Sequence, residues 1–229
     1  MFCLRVIDSV MARILIAGCG DIGAAVGRLL ADDGHEIVGM KRHPPVGDSA
    51  IRYIRVDLAC AEEVEGLDTN FDLVIYILTP AGRNEESYRS VFQYGVENLL
   101  NAFSRNNSDA RFIFVSSTSV YGQSHGEWVD EESVTEPASI SGQIILQAER
   151  AFLAHGHGNC NIRFSGIYGR SRSRLLDLVA RGDKVQYEPV YYTNRIHRDD
   201  CVAVLHFISS RMLSGAVVEP VYLASDDDP

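Results

Sequence analysis

Residues 13–23 read RILIAGCGDIG, and this stretch decides the fold. The apolar run Ile14 to Ala17 suits a short buried strand, and it leads directly into Gly18, Gly20 and Gly23 at the spacing G-x-G-x-x-G. From Ile22 onward Ile22, Ala25, Val26, Leu29 and Leu30 fall at i, i+3, i+4, i+7 and i+8, one face of a helix that Gly34 closes. A strand, a glycine turn and a helix whose N-terminus faces that turn form an anion site suited to a dinucleotide pyrophosphate. Gly18 allows the tight turn, Gly20 admits the phosphates to the backbone, Asp21 and Ile22 open the helix, and Gly23 lets it pack against the strand. The competing reading is a glycine-rich turn in some other α/β protein.

The next strand, Glu36 to Met40, runs into Lys41 and Arg42. This is the position, about 20 residues past the turn, where an NAD site commonly offers a carboxylate to the adenosine ribose. Two cations there favour a 2′-phosphate, and so NADP over NAD, because a guanidinium binds phosphate in a bidentate way and a carboxylate would repel it. The alternative is a pair of solvated strand-end charges. Asp57, after a third strand at Ile51 to Val56, either accepts from the adenine amino group or caps the turn leading to Ala61. Leu73 to Leu78 reads as a central parallel strand, and Thr79 opens the loop at its C-terminal end, where ligands sit in doubly wound sheets.

The rest of the chain continues the alternation. A long helix is expected over Glu86 to Ser104, a strand over Phe112 to Val115, a helix over Ile140 to Leu153 and a strand over Asn161 to Ser165. Further helices are expected around Leu175 to Arg181 and over Asp199 to Met212, with a last strand at Val221 to Ala224. This pattern predicts a Rossmann-type α/β fold, a doubly wound parallel sheet covered on both faces, as a single domain over residues 11–229. Residues 1–10 precede Met11 and read as an N-terminal extension.

Composition narrows the partners. With 21 Lys and Arg against 31 Asp and Glu the chain carries a formal charge of -10, so it has no broad basic surface for nucleic acid or an anionic membrane. No apolar run reaches the ~20 residues that cross a bilayer. Five scattered cysteines without a C-x-x-C pair read as reduced thiols of a cytoplasmic protein, and no metal site is expected. HGHGNC at 155–160 lies between a helix and a strand and reads as a turn.

Four landmarks, IAGCGDIG at 16–23, FVSSTSVYG at 114–122, IRFSGIYG at 162–169 and RIHRDD at 195–200, stand in the order found in the extended short-chain dehydrogenase/reductases. The chain from Ala12 to Ala224 resembles that NAD-dependent epimerase/dehydratase family. The resemblance implies an NAD(P)-binding domain and a smaller C-terminal portion, here 166–220, that holds a substrate, often a nucleotide-linked sugar. It also implies pairing of two copies through long helices, and catalysis by a Ser or Thr, a Tyr and a Lys four residues after the Tyr. A phenol with an unperturbed pKa near ~10 needs such a cation to work at neutral pH.

On this alignment Ser117 takes the Ser/Thr position, but Ser141 takes the tyrosine position and Ile145 the lysine position. The chain has two lysines, Lys41 and Lys184, preceded at four residues by Ile37 and Ala180, so no Tyr-x-x-x-Lys exists. This is similar to atypical members in which SG replaces YG. Ser117 and Tyr121 remain the catalytic candidates, Tyr121 as a surrogate acid or as a ring packed over cofactor or core. Ser119, Tyr168, Arg195 and His197 are the candidates on the substrate side, with His197 and Asp200 alternatively a loop-to-helix contact. Relatives usually continue past the last strand, whereas this chain ends in SDDDP; either it is a fragment or its substrate side is open.

Two functions follow. One is an NADP-preferring oxidoreductase or epimerase/dehydratase acting on a small carbonyl or nucleotide-sugar substrate. The other is a dinucleotide-binding sensor or partner-binding module without turnover. A methyltransferase would explain the glycine turn alone.

Overall fold

A computed structural model describes residues 11–169, 180–182 and 192–227. The expected extension at 1–10 and most of the expected helix around Leu175 to Arg181 lie outside the described residues.

Seven strands form one parallel sheet among the described residues, in the order β3-β2-β1-β4-β5-β6-β9. They are β1 (Arg13–Ala17), β2 (Glu36–Lys41), β3 (Arg52–Arg55), β4 (Leu73–Tyr76), β5 (Arg111–Ser117), β6 (Cys160–Phe164) and β9 (Val221–Ala224). A small separate sheet pairs β7 (Gly166–Tyr168) with β8 (Arg195–His197), also parallel. The helices are α1 (Asp21–Asp32), α2 (Ala61–Val64), α3 (Glu85–Arg89), α4 (Gly95–Arg105), α5 (Ile140–His155) and α6 (Arg198–Leu213). The chain adds β2 and β3 on one side of β1 and then crosses to add β4 on the other. That reversal opens a crevice beyond the carboxyl ends of β1 and β4, which is the ligand position in such sheets.

Alternation along each strand supplies both cores. Ile14, Ile16, Ile37, Leu73, Ile75 and Ile113 point to one face, against Val26 and Leu30 of α1 and Leu205 and Ile208 of α6. Leu15, Val38, Val74, Tyr76, Phe112 and Phe114 point to the other, against Leu99 and Phe103 of α4 and Phe152 of α5. The second face is aromatic, with Phe114 stacked on Phe152 at 4.9 Å between ring centroids and Phe103 edge-on to Phe112 at 5.2 Å. Burial of this apolar surface on both faces, at about 25 cal/mol per Å2, is the main force holding the layers together.

The single long helix expected over Glu86 to Ser104 is interrupted by a π turn at Ser90–Tyr94. At that turn Tyr76, fully buried on β4, donates its hydroxyl hydrogen to the carbonyl oxygen of Val91 at 2.5 Å. A Cβ on Gly95 would come within 2.8 Å of that hydroxyl, so the glycine makes room for it. The outer edge of β9 is blunted in a different way, since the Leu223 amide donates to a Glu131 carboxylate oxygen at 2.8 Å.

Candidate active site

The turn after β1 has the geometry that its glycines demand. Gly18 has φ +92°, and a Cβ there would stand 2.5 Å from the Ile77 carbonyl oxygen, so no other residue fits. A Cβ on Gly23 would lie 3.0 Å from Ile16 and 3.1 Å from the Gly18 carbonyl oxygen, which measures how closely α1 approaches the strand. Beside Gly20 the space is open, the nearest atom to a built Cβ being 3.8 Å away. No side chain caps α1, and its first recorded internal bond runs from the Ala24 amide to the Gly20 carbonyl at 2.8 Å. Among the described residues the amides of Asp21, Ile22 and Gly23 are therefore the unpaired donors of the first turn.

These residues floor a cleft of about 640 Å3, within the ~300–1,000 Å3 usual for small-ligand sites. Gly18, Gly20, Asp21, Ile22 and Gly23 line it together with Lys41, Arg42, Asp57 and Thr79. His43, Tyr88 and Ser90 line it as well. Sequence reasoning passed over these three: His43 follows the cation pair directly, Tyr88 lies on α3, and Ser90 opens the π turn, which no periodicity announces. Asp57 also closes its own turn, accepting from the Ala59 amide at 3.1 Å.

The opposite wall comes from β5 and α5. Ser117 and Ser119 line the cleft with Ser141 and Ile145, which stand one helical turn apart on α5. Ser139 caps α5 by accepting from the Gly142 amide at 3.0 Å, and a Cβ on Gly142 would collide with the Ser119 carbonyl oxygen. That close approach brings Ser141 to the end of β5. The Ser117 hydroxyl oxygen accepts from the Ser119 amide at 3.2 Å, which leaves its hydrogen free to be donated. Ile145 is 4% exposed.

Tyr121, expected as a surrogate acid or a packed ring, is not among the residues lining the cleft. Its hydroxyl donates to the Asp130 carbonyl at 2.7 Å and accepts from Arg163 at 2.9 Å, and the Arg163 guanidinium lies over its ring at 5.1 Å. Burial pushes the phenol pKa above its ordinary value, against the opposing pull of Arg163. Arg163 in turn grips Glu149 in a bidentate pair at 2.9 and 2.7 Å, and Glu149 accepts from Ser116 at 2.6 Å. Both charged groups are almost fully buried, at 5% and 2% exposure. Burial works to lower the Arg163 pKa, but its bonds to Glu149 outweigh that and raise it. This buried chain braces the strand end that carries Ser117.

Tyr168, Arg195 and His197 sit on the small β7–β8 sheet, which reaches the cleft through Ile167. The Tyr168 and His197 rings meet edge to face at 5.2 Å. His197 accepts from the Asp199 amide at 3.3 Å and so caps α6, the loop-to-helix contact expected of it, made to Asp199 rather than Asp200. Among the described residues no group of three or more His, Cys, Asp or Glu could hold a metal ion, and no helix is long and apolar enough to cross a membrane.

The sequence profile of the NAD dependent epimerase/dehydratase family matches residues 14–214. The chain belongs to that family. A solved structure from Methylobacillus flagellatus, described as an NAD-dependent epimerase/dehydratase, is 31% identical, with a TM-score of 0.79 over 96% of this chain and 77% of that one. The UDP-N-acetylglucosamine 4-epimerase of Bacillus cereus shares the fold at 18% identity, with a TM-score of 0.71 over 95% of this chain and 79% of that one. Bordetella bronchiseptica WbmH, solved in complex with NAD+, shares it at 18% identity and a TM-score of 0.75, over 96% of this chain and 77% of its own. Uncharacterized proteins of Mycobacterium bovis and Mycobacterium tuberculosis are 32% identical over 107 residues, which is 46% of this chain but only 12% of those longer relatives. The α5 wall of the cleft presents Ser141 and Ile145.

Proposed function

We propose that the cleft binds a nicotinamide dinucleotide, NADP in preference to NAD, and that the protein exchanges a hydride with a small carbonyl or nucleotide-sugar substrate. The observation that carries this reading is that one cleft is lined by the open glycine turn, by Lys41 and Arg42, and by the Ser117 hydroxyl. The fit is chemical as well as spatial. The unpaired amides of the α1 first turn suit a pyrophosphate, and the two cations ending β2 suit a 2′-phosphate. The nicotinamide, when bound, supplies the hydride chemistry. Ser117 donates a hydrogen bond to a substrate oxygen or to the carboxamide, Ser119 borders the substrate, and Tyr168, Arg195 and His197 belong to its side of the cleft. With Tyr121 tied to Asp130 and Arg163, its role is to support the strand end. Fold neighbours named for UDP-N-acetylglucosamine and UDP-glucuronic acid support a nucleotide-linked sugar as substrate class.

Titration calorimetry tests the cofactor. NADP binds at least about tenfold more tightly than NAD, and Arg42→Asp reverses the order; equal affinities in the parent protein overturn the preference. Turnover is followed at the NADPH absorbance with aldehydes, ketones and sugar nucleotides, and Ser117→Ala lowers it about tenfold or more. Unchanged turnover in that variant removes Ser117 from the site. The second reading, a dinucleotide-binding module without turnover, is favoured by one observation. Ile145 places an apolar side chain where the family pattern has its lysine, so no cation is offered there to activate a hydroxyl.

A further inference from the structure

Asp21 is an awkward residue to find at the mouth of an anion site. It is the first residue of α1, it lines the cleft, and its carboxylate is formally negative beside the amides that would receive a pyrophosphate. Left alone it would oppose an anionic ligand, because like charges repel. It is not left alone. Arg198, the first residue of α6 and 177 positions away in sequence, holds it with Nη2 at 2.9 Å from Oδ1 and Nε at 3.3 Å from Oδ2. The same Nη2 also donates to the Asp21 carbonyl oxygen at 3.0 Å, so the guanidinium clasps both backbone and side chain of the turn. A second stitch, His206 to Asp33 at 2.6 Å, holds the same two helices together further along.

We propose that Arg198 is a positioning and charge-compensating residue of the dinucleotide site, acting through Asp21 to make the glycine turn receptive to a pyrophosphate. The inference rests on the dinucleotide reading of the cleft. Arg198 does not line the cleft, and its Nη1 also binds Asp199 at 2.7 Å, so its effect on the ligand passes through the Asp21 charge. An ordinary structural ion pair and a charge-compensating one make opposite predictions for Asp21. If the pair only ties α6 to α1, then losing either partner weakens the site. If its purpose is compensation, losing the carboxylate improves the site, because the repulsion that Arg198 offsets is then gone.

The test is a double-mutant cycle on the full chain, with NADP and NAD affinities measured by calorimetry and folding checked by thermal melts. Arg198→Ala weakens dinucleotide binding about tenfold, and Arg198→Lys recovers most of that loss. Asp21→Asn tightens binding severalfold, and in its background Arg198→Ala costs less than about twofold. Weaker binding in Asp21→Asn, or the same loss from Arg198→Ala in both backgrounds, overturns the inference while leaving the cofactor reading intact. A folded parent protein that binds neither dinucleotide overturns both.

Discussion

At the ends of β1 and β2 the cleft is walled by backbone amides and two adjacent cations, all drawn from residues 18–42. At the end of β5 it is walled by side chains from α3, the π turn, β5 and α5, residues 88–145, which meet only because the sheet brings them together. The first wall follows the family pattern and its geometry needs little besides glycine at the right places. The second is built from the capped helix α5 and the serine of β5, and presents Ser141 and Ile145 to the cleft. On the proposed function, binding and chemistry rest on separate parts of one cleft, and substitution can alter one while sparing the other.

The sharpest test of the second wall is its buried brace. Glu149→Ala leaves Arg163 charged, buried and unpaired, and strips Ser116 of its acceptor. The expected loss is about 3–5 kcal/mol of unfolding free energy, read from urea denaturation. A loss below about 1 kcal/mol would mean that water reaches Arg163 and that the brace is dispensable. The next largest effect is a gain. Ser141→Tyr together with Ile145→Lys places a Tyr-x-x-x-Lys pair on α5, and raises NADPH-linked turnover about 10²-fold. If the doubly substituted protein folds and binds NADP without gaining turnover, the second wall lacks more than these two side chains.

Tyr76→Phe removes the hydroxyl that holds the π turn and leaves the Val91 carbonyl without its donor. It should cost about 1–2 kcal/mol in stability, with a severalfold loss of nucleotide affinity as Ser90 shifts in the wall. Full affinity in a destabilised variant would show that the π turn serves packing alone. The smallest effect concerns pH. Burial lowers the pKa of His155, whose ring meets Phe112 edge-on at 5.1 Å. The unfolded chain therefore binds the proton more readily than the folded one, so this contribution is fully present above the ordinary histidine range near 6.5 and is lost as pH falls through the depressed folded value. His155→Phe should flatten the decline in stability between about pH 7 and pH 5 by a fraction of a kcal/mol; an unchanged slope would assign that decline to the carboxylates.

Much of this was legible along the chain. The glycine spacing, the strand that precedes it, and Lys41 and Arg42 at the end of β2 are short-range features, since a parallel strand and its following turn are encoded by neighbours. The absence of Tyr-x-x-x-Lys is equally a fact of the sequence. What escaped reading depends on contacts between distant segments. Tyr76 of β4 meets Val91 inside the π turn, and Ser90 of that turn lines the cleft. Tyr121 stands next to the hydroxyl cluster in sequence, yet Arg163 and the Asp130 carbonyl engage its hydroxyl.

The sequence by itself determined the family, the doubly wound α/β architecture and the place of the dinucleotide turn, because hydrophobic alternation and glycine conformation are local properties. Only the tertiary structure decided which hydroxyls share the cleft, that Glu149 and Arg163 neutralise each other in the core, and that Arg198 reaches across to Asp21. Those outcomes are set by the order of strands in the sheet and by the need of each buried charge for a partner, and neither is written in any single stretch of the chain.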